Sequence, residues 1–244
     1  MIWSDEFEKD GKPDESKWTY DVGGDGWGNQ ELQYYTDRKE NVCIENQILK
    51  IRAVKEEYGI NNYTSARITT KNLGDFRYGR VRIRAKLEGC TARGTWPAIW
   101  MLPSQNFYGG WPKSGEIDIM EHVGYDVGNV HGAIHSQSYN HLKNTQKTGT
   151  ISIDVTNWHV YEVIWTEEKI QFLADNSVYY EFRKENGICC QGVTSDEWPF
   201  DHDFHLILNV AVGGSWGGRE GIDEKEFDGD GQVMSIDWVR IYEI

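Results

Sequence analysis

The stretch GEIDIMEHVG, residues 115–124, places three carboxylates within six residues: Glu116, Asp118 and Glu121. Acidic and aliphatic residues alternate through the first four of these positions, which is the period of a β-strand. In a regular strand Glu116 and Asp118 would share a face, and Glu121 would point to the opposite face. A β-bulge near Ile119–Met120 would add one unpaired residue and bring Glu121 back to the face of the other two acids.

Three acids on one strand face can have three roles. A solvated surface is disfavoured, because like charges on one face repel and no lysine or arginine is interleaved with them. A hard cation such as calcium would be bound by oxygen ligands. Glycoside hydrolysis uses two carboxyl groups that flank the scissile bond, and a third acid between them would raise the pKa of one carboxyl so that it keeps its proton. The stretch favours the hydrolase and leaves the other two roles open.

Tryptophan is abundant, with 11 residues in the chain, and several of them lie near the acids in sequence. Sugar rings present C–H faces that stack on indole, so tryptophans around an acidic strand suit a polysaccharide cleft. We predict that Trp27, Trp96, Trp111 and Trp216 line the cleft. Trp100 lies between two apolar residues and fits either the cleft or the core.

Short strands dominate the rest of the chain. GRVRIRAKLE alternates apolar and charged residues, NVCIENQILKIRAV contains two strands hinged at ENQ, and HVYEVIWTEEKIQFLADNSVYYEF contains successive strands separated by turns. FHLILNVAVGG is typical of a strand covered on both sides, and MSIDWVRIYEI adds a last strand. No long amphipathic helix is apparent. These patterns predict one all-β domain over residues 1–244, a sandwich or a barrel.

Three glycine-rich stretches that each carry a tryptophan, DVGGDGWGNQE, FYGGWPKSGE and VGGSWGGREG, are predicted to be long loops and the place where binding occurs. The formal net charge of −14 disfavours nucleic acid and anionic lipid as partners and suits a neutral ligand or a cation. No apolar run is long enough for a membrane helix. The four cysteines, which show no zinc-type spacing, are predicted to be mostly free structural thiols.

The chain resembles the laminarinase-type (endo-1,3-β-glucanase) members of glycoside hydrolase family 16. The matching stretches run nearly from end to end: WSDEF, WGNQELQYYT, LKIRAV, YTSARITTK, YGRVRIRAKL, GTWPAIWMLP, GEIDIMEHVG, VHGAIHS, WHVYEVIWT, LILNVAVGGSW and IDWVRIYE. The resemblance implies a concanavalin A-like jelly-roll sandwich of two curved antiparallel sheets, with the substrate in a concave cleft. It also implies hydrolysis with retention of configuration and no cofactor for the chemistry.

By motif position, the resemblance makes Glu116 the nucleophile and Glu121 the general acid/base, with Asp118 between them holding Glu116 and helping to set the proton balance. His135 matches the histidine that lies near the acid/base, although a hydrogen-bonded strand histidine would look the same. Further matched positions usually face the cleft: Asn29, Glu31 and Arg67. Arg67 could equally pair with a buried acid.

Many members of the family bind one calcium ion on the convex side, away from the catalytic face. The matching positions are Glu6, the backbone carbonyl of Gln47, and Asp237 on the last strand. Carboxylate and carbonyl oxygens suit a hard cation. A carboxylate that only hydrogen-bonds to backbone is the alternative for Asp237.

Two departures from the family pattern touch the rim of the cleft. Trp216 is followed by two glycines, where the family often has proline, and Ala66 stands where the family usually has glycine. They leave the acids intact and put the linkage preference in question. The expected function is endo-hydrolysis of β-1,3-glucan; the alternatives are mixed-linkage β-1,3/1,4-glucan, a galactan, or a glycan-binding module without activity. We expect a monomer that acts outside the cell, because polymeric glucans do not enter cells.

Overall fold

The computed structural model describes residues 1–184 and 192–244. Its strands are β1 Trp3–Asp5, β2 Thr19–Tyr20, β3 Gln33–Tyr35, β4 Val42–Glu45, β5 Ile48–Tyr58, β6 Asn61–Ser65, β7 Arg67–Thr69, β8 Gly79–Gly89, β9 Thr95–Pro103, β10 Glu116–Glu121, β11 Asn129–His135, β12 Lys147–Ser152, β13 His159–Trp165, β14 Lys169–Ala174, β15 Ser177–Arg183, β16 Phe204–Val212 and β17 Gln232–Tyr242. The helical elements are α1 Gly214–Gly217 and two 3-10 helices, His141–Lys143 and Glu224–Phe227.

The strands form two sheets that pack face to face. The first, which we call the outer sheet, has the order β15-β14-β13-β8-β17-β5-β6-β3, with β1 paired to β17 and β4 paired to β5. The second, the cleft sheet, has the order β12-β11-β10-β9-β16-β7-β2. Neighbouring strands are antiparallel except for β3 and β6. The predicted all-β sandwich is confirmed.

Alternating sequence produces the buried face of the outer sheet. On β8 the side chains of Val81, Ile83, Ala85 and Leu87 are fully buried, and the basic residues between them face outward. Burial of each large aliphatic side chain stabilises the fold by about 1.5–3 kcal/mol. The strand pairs predicted around ENQ and through the turns after β13 and β14 are also present.

The two faces of strand β16 have different surroundings: one packs in the core between the sheets, and the other lines a cavity. All nine of its residues are buried, as predicted for a strand covered on both sides. The even-numbered residues from Phe204 to Val212 belong to the core between the sheets. Asn209 and Ala211, on the other face, line a cavity. The side of the cleft sheet that faces away from the core therefore forms the floor of a cleft.

Two of the predicted free thiols are observed: Cys43 and Cys90 are unpaired and buried. Cys189 and Cys190 lie outside the described residues. Helical elements in the described ranges have at most four residues. Within those ranges no helix has both the length and the apolar character to cross a membrane.

Candidate active site

The predicted β-bulge lies in the middle of strand β10. Along β9 the pairing advances by one residue, from Trp100 to Ile99, while β10 advances by two, from Asp118 to Met120. The same shift appears on the β11 side, between Asp118 and Glu121. The bulge returns Glu121 to the face that carries the first two acids.

All three acids line one cavity, which we call the cleft. It has a volume of about 380 Å³ and crosses strands β7, β16, β9 and β10. Asp118 is only 2% exposed, whereas Glu116 and Glu121 are half-buried. The carboxylates therefore lie on the floor of a groove that is open to a ligand.

Burial and repulsion between neighbouring carboxylates raise the pKa values of Asp118 and Glu121. Burial raises the pKa of Asp118 well above its usual range, and the charge of Glu116 and a hydrogen bond between the two carboxyl groups add to this effect. Burial also raises the pKa of Glu121, and the negative charge of the Asp118–Glu116 pair adds to this effect. A carboxyl group with a raised pKa can donate a proton near neutral pH.

An indole N–H orients each of the two glutamates. Trp96 Nε1 donates to Glu121 Oε1 at 3.0 Å, and Trp111 Nε1 donates to Glu116 Oε2 at 2.8 Å. Both rings also line the cleft. The same tryptophans thus fix the carboxylates and supply apolar surface for a sugar ring.

His135 lies beside the first two acids. Its Nε2 is 3.2 Å from Asp118 Oδ2 and 3.7 Å from Glu116 Oε1, and the residue is buried. The resemblance implied a position near Glu121. The closest acidic neighbours of His135 are instead Asp118 and Glu116, on the same strand as Glu121. His135, Asp118 and Glu116 also form the group in the described chain whose spacing could hold a metal ion.

Arg67 lies between two tryptophans at the other end of the cleft. Its guanidinium carbon is 4.7 Å from the ring centroid of Trp27 and 4.8 Å from that of Trp100. Its Nε donates to Asp21 Oδ2 at 2.9 Å, and Asp21 is not buried. Because Trp100 is stacked by Arg67 and lines the cleft, the choice between core and cleft is resolved in favour of the cleft.

A polar network supports this end of the cleft. Asn29 Nδ2 and the Tyr35 hydroxyl donate to the carboxylate of Glu31 at 3.2 Å each. Asn209 donates to the Tyr35 oxygen at 3.0 Å and accepts from Trp100 Nε1 at 2.7 Å. Burial raises the pKa of Glu31, and the hydrogen bonds that Glu31 accepts from Gln33, Asn29 and Tyr35 oppose the shift. Asn29 and Glu31 both line the cleft, as expected.

Trp216 lies beside Trp96 and is partly exposed. It packs edge-on against Trp96 with 5.5 Å between ring centroids, and His131 packs on its other side at 5.1 Å. It is absent from the set of residues that line the cavity. Trp216 therefore supports Trp96, and through it Glu121.

Sequence reasoning missed several residues of the cleft: Gly28, Ala98, Leu102, His141, Leu142, Asn209 and Ala211. Asn209 had a signal, because it is the polar residue that interrupts the apolar run LILNVAV. His141 had none, since it lies in a 3-10 helix that is brought to Trp111 only by tertiary packing, with ring centroids 5.1 Å apart.

The residues expected to bind calcium are placed in ion pairs. Glu6 accepts two hydrogen bonds from Arg240, at 2.8 and 2.9 Å, and Asp237 is paired with Arg84. Gln47 lies in the turn between β4 and β5. Calcium binding by these residues stays a prediction, and a bound ion would compete with both arginine pairs.

Comparison with known proteins gives consistent matches. A model described as "Glycosyl hydrolases family 16" matches residues 27–240. A beta-glucanase of Rhodothermus marinus is 49% identical over 252 residues, which cover 99% of this chain and 84% of the relative. The X-ray structure of the laminarinase from Rhodothermus marinus superposes with a TM-score of 0.94 at 48% identity, covering 99% of this chain and 96% of that chain.

A further solved structure contains a bound sugar. It is a mutant of SCLam, a non-specific endo-beta-1,3(4)-glucanase, that presents a 1,3-beta-D-cellobiosyl-glucose at its active site. It matches with a TM-score of 0.91 at 40% identity, covering 100% of this chain and 94% of that chain. The chain therefore has the jelly-roll fold that the resemblance implied.

Proposed function

The chain belongs to family 16 of the glycosyl hydrolases, and we propose that it is an endo-acting, retaining hydrolase of β-1,3-glucan. One observation carries the proposal: the bulge in β10 turns Glu121 onto the face of Glu116 and Asp118, at the floor of an aromatic cleft. A relative at 48% identity is a laminarinase, which supports the choice of glucan.

The carboxylates divide the chemistry between them. Glu121, whose pKa is raised by burial, donates its proton to the glycosidic oxygen while Glu116 attacks the anomeric carbon. Water, deprotonated by Glu121, then releases the sugar from Glu116, and two inversions give net retention.

Asp118 and His135 lie beside Glu116, the nucleophile. Asp118 holds a proton because its own pKa is raised, and it shares a hydrogen bond with Glu116. That hydrogen bond fixes the Glu116 carboxylate. It also reduces the repulsion that a third negative charge would add beside the two reacting carboxyl groups. His135, on the neighbouring strand β11, pairs with Glu116 in the sheet and flanks both acids.

A second substrate, mixed-linkage β-1,3/1,4-glucan, is favoured by one observation. SCLam, which is non-specific for these linkages, is 40% identical over the whole chain. The glycan-binding module without activity is disfavoured, since all three acids are present and burial raises the pKa of Glu121, the residue that would donate the proton.

Product analysis on a panel of glucans and galactans tests the proposal. We expect laminarin to give a ladder of short oligosaccharides, with the β-anomer of each new reducing end appearing first in a proton NMR time course. An initial α-anomer would refute retention, and galactan cleavage without laminarin cleavage would refute the substrate.

The remaining features are proposals of the same kind. We propose one catalytic domain over residues 1–244 that acts as a secreted monomer, because the substrate is an extracellular polymer.

Calcium binding at Glu6, Gln47 and Asp237 would require both arginine pairs to open. A rise in Tm on adding calcium that is lost in Asp237→Asn would support the site, and an unchanged Tm would refute it.

A further inference from the structure

A histidine and two carboxylates converge at one point beside the cleft floor. Glu116 Oε1, Asp118 Oδ2 and His135 Nε2 all lie within 4.8 Å of one another. Strand pairing fixes this arrangement, because Glu116 of β10 is directly opposite His135 of β11. We call these three residues the acid–histidine triad. Their side chains offer one imidazole nitrogen and two carboxylate oxygens to a single point.

The spacing of these atoms suits a small divalent transition metal. Zinc binds histidine nitrogen and carboxylate oxygen at about 2.0–2.2 Å, so two of its ligands in a tetrahedral site are about 3.4 Å apart. His135 Nε2 is 3.2 Å from Asp118 Oδ2 and 3.7 Å from Glu116 Oε1. The sheet therefore already holds the nitrogen and both oxygens near the separation that ligands of one ion require.

One of the three ligand atoms lacks a hydrogen bond. Asp118 is 2% exposed, and its Oδ2 accepts no hydrogen bond from any residue that the structure describes. Buried polar atoms are ordinarily satisfied by a protein group, a water molecule or an ion. The nearest described cationic group is the His135 ring, 3.2 Å away, so Oδ2 points to the centre of the triad. This oxygen is an independent sign that a ligand belongs there.

The triad can be reached from the cleft. Glu116 and Asp118 both line it, and the Glu116 side chain is 15% exposed. A site with three protein ligands leaves a coordination position for water, as in catalytic zinc sites. An ion could therefore enter through the cleft and keep a water molecule on its open side.

The donor set selects the kind of ion. Imidazole together with carboxylate suits zinc, copper(II) and nickel(II). Calcium takes about six to eight oxygen ligands, and magnesium demands octahedral oxygen coordination with several waters. A group of three ligands that includes a nitrogen offers too few oxygens for either of these hard cations.

We propose that the acid–histidine triad binds one divalent transition-metal ion, with zinc and copper(II) preferred over calcium and magnesium, and that the bound ion inhibits the protein. The ion replaces the proton in the hydrogen bond between Asp118 and Glu116 and releases it to solvent. Binding depends only on the three side chains. Inhibition rests on the proposed function, because the ion occupies the carboxylate of Glu116, the proposed nucleophile.

Titration with cobalt(II) tests the site without relying on activity. The visible bands of Co²⁺ strengthen when the ion leaves water for a protein site of lower coordination number. The full chain is first stripped with EDTA and then titrated with Co²⁺, and Zn²⁺ or Ca²⁺ is added as a competitor. We expect the native protein to bind a single Co²⁺ that Zn²⁺ displaces and that an excess of Ca²⁺ does not.

Two variants locate the bound ion. His135→Gln and Glu116→Gln should each weaken Co²⁺ binding by about tenfold or more, since loss of a residue that merely supports a metal ligand already costs about that much. His131→Gln, on the same strand as His135 but outside the triad, is the matched control and should bind Co²⁺ as the native protein does. Unchanged binding in either ligand variant that keeps the native circular dichroism, or equal displacement by Ca²⁺ and Zn²⁺, would overturn the site.

Kinetics in the presence of zinc test the second half of the proposal. Zn²⁺ should raise KM for laminarin and leave kcat unchanged, at the concentrations that displace Co²⁺, and EDTA should restore the original KM. Binding of Zn²⁺ at the triad without any inhibition would overturn the inhibitory role. Failure of the metal-free protein to cleave laminarin would instead refute the proposed function, while the Co²⁺ spectrum would still report whether the site exists.

Discussion

The proton of Glu121 depends on its neighbours. Burial and the negative charge of the Asp118–Glu116 pair raise the pKa of Glu121, whereas the hydrogen bond from Trp96 lowers it. The acid form is required for the first step, so activity is lost as pH rises through the pKa of Glu121 in the folded protein. The indole of Trp96 therefore helps to set the alkaline limit of activity.

Removing this hydrogen bond should move that limit. We expect Trp96→Phe to shift the basic limb of the kcat/KM profile to higher pH, because the Trp96 hydrogen bond favours the ionised form of Glu121. The ring is kept, so some stacking of the sugar remains. Trp158→Phe, at the residue before β13, is the control and should leave the profile unchanged, because its ring lies against Arg84 of the outer sheet. A basic limb that moves to lower pH would show that Trp96 acts in another way.

At the scale of elements, the bulge decides which face carries Glu121. Deleting Ile119 removes the extra residue of β10 and turns the Glu121 side chain toward the core. We expect no detectable glucan hydrolysis and a loss of stability of several kcal/mol, since a carboxyl group in the apolar interior is costly, at about 2–7 kcal/mol without a partner.

A second substitution shows that the deletion has folded as expected. In the deletion background, Glu121→Leu should raise Tm, because position 121 would then need an apolar side chain. In the native background the same substitution should abolish activity without that gain. Hydrolysis by the deletion variant would contradict the role given to the bulge.

A buried ion cluster joins β8 to β13 in the outer sheet. Glu162 is fully buried and accepts from Arg80 at 2.6 Å and from Arg82 at 2.8 Å. Glu162→Ala should lower the free energy of unfolding by about 3 kcal/mol, because two arginines lose a shared partner. The control is Glu181→Ala, which breaks exposed pairs and should cost less than about 1 kcal/mol. Urea denaturation measures both, and equal effects would contradict the argument.

Local pattern predicted much of these elements, and tertiary contact decided the rest. Alternation in β8 predicted its buried face, and the spacing of Glu116, Asp118 and Glu121 predicted the bulge. The placement of Trp100 stayed open, because it depends on Arg67, which comes from β7. The contribution of His141 could not be read from sequence for the same reason, since its contacts are made through packing of a distant loop.

For the molecule as a whole, charge and fold point to a neutral substrate. The net charge of −14 is carried by a chain whose cleft floor already holds three acids. A neutral glucan is not steered by this field, so kcat/KM on laminarin should change less than about twofold between low salt and 0.5 M salt, where the Debye length falls below about 5 Å. A steep dependence on salt would indicate a charged substrate.

Azide rescue tests the central claim, that Glu116 is the nucleophile and Glu121 the acid/base, most directly. With an activated aryl β-glucoside of the 1,3-linked disaccharide, Glu121→Ala still forms the glycosyl-enzyme, and azide should release a β-glycosyl azide. In Glu116→Ala, azide enters the space of the missing carboxylate and should give an α-glycosyl azide. The opposite pair of products, or azide products of one configuration from both variants, would contradict the assignment.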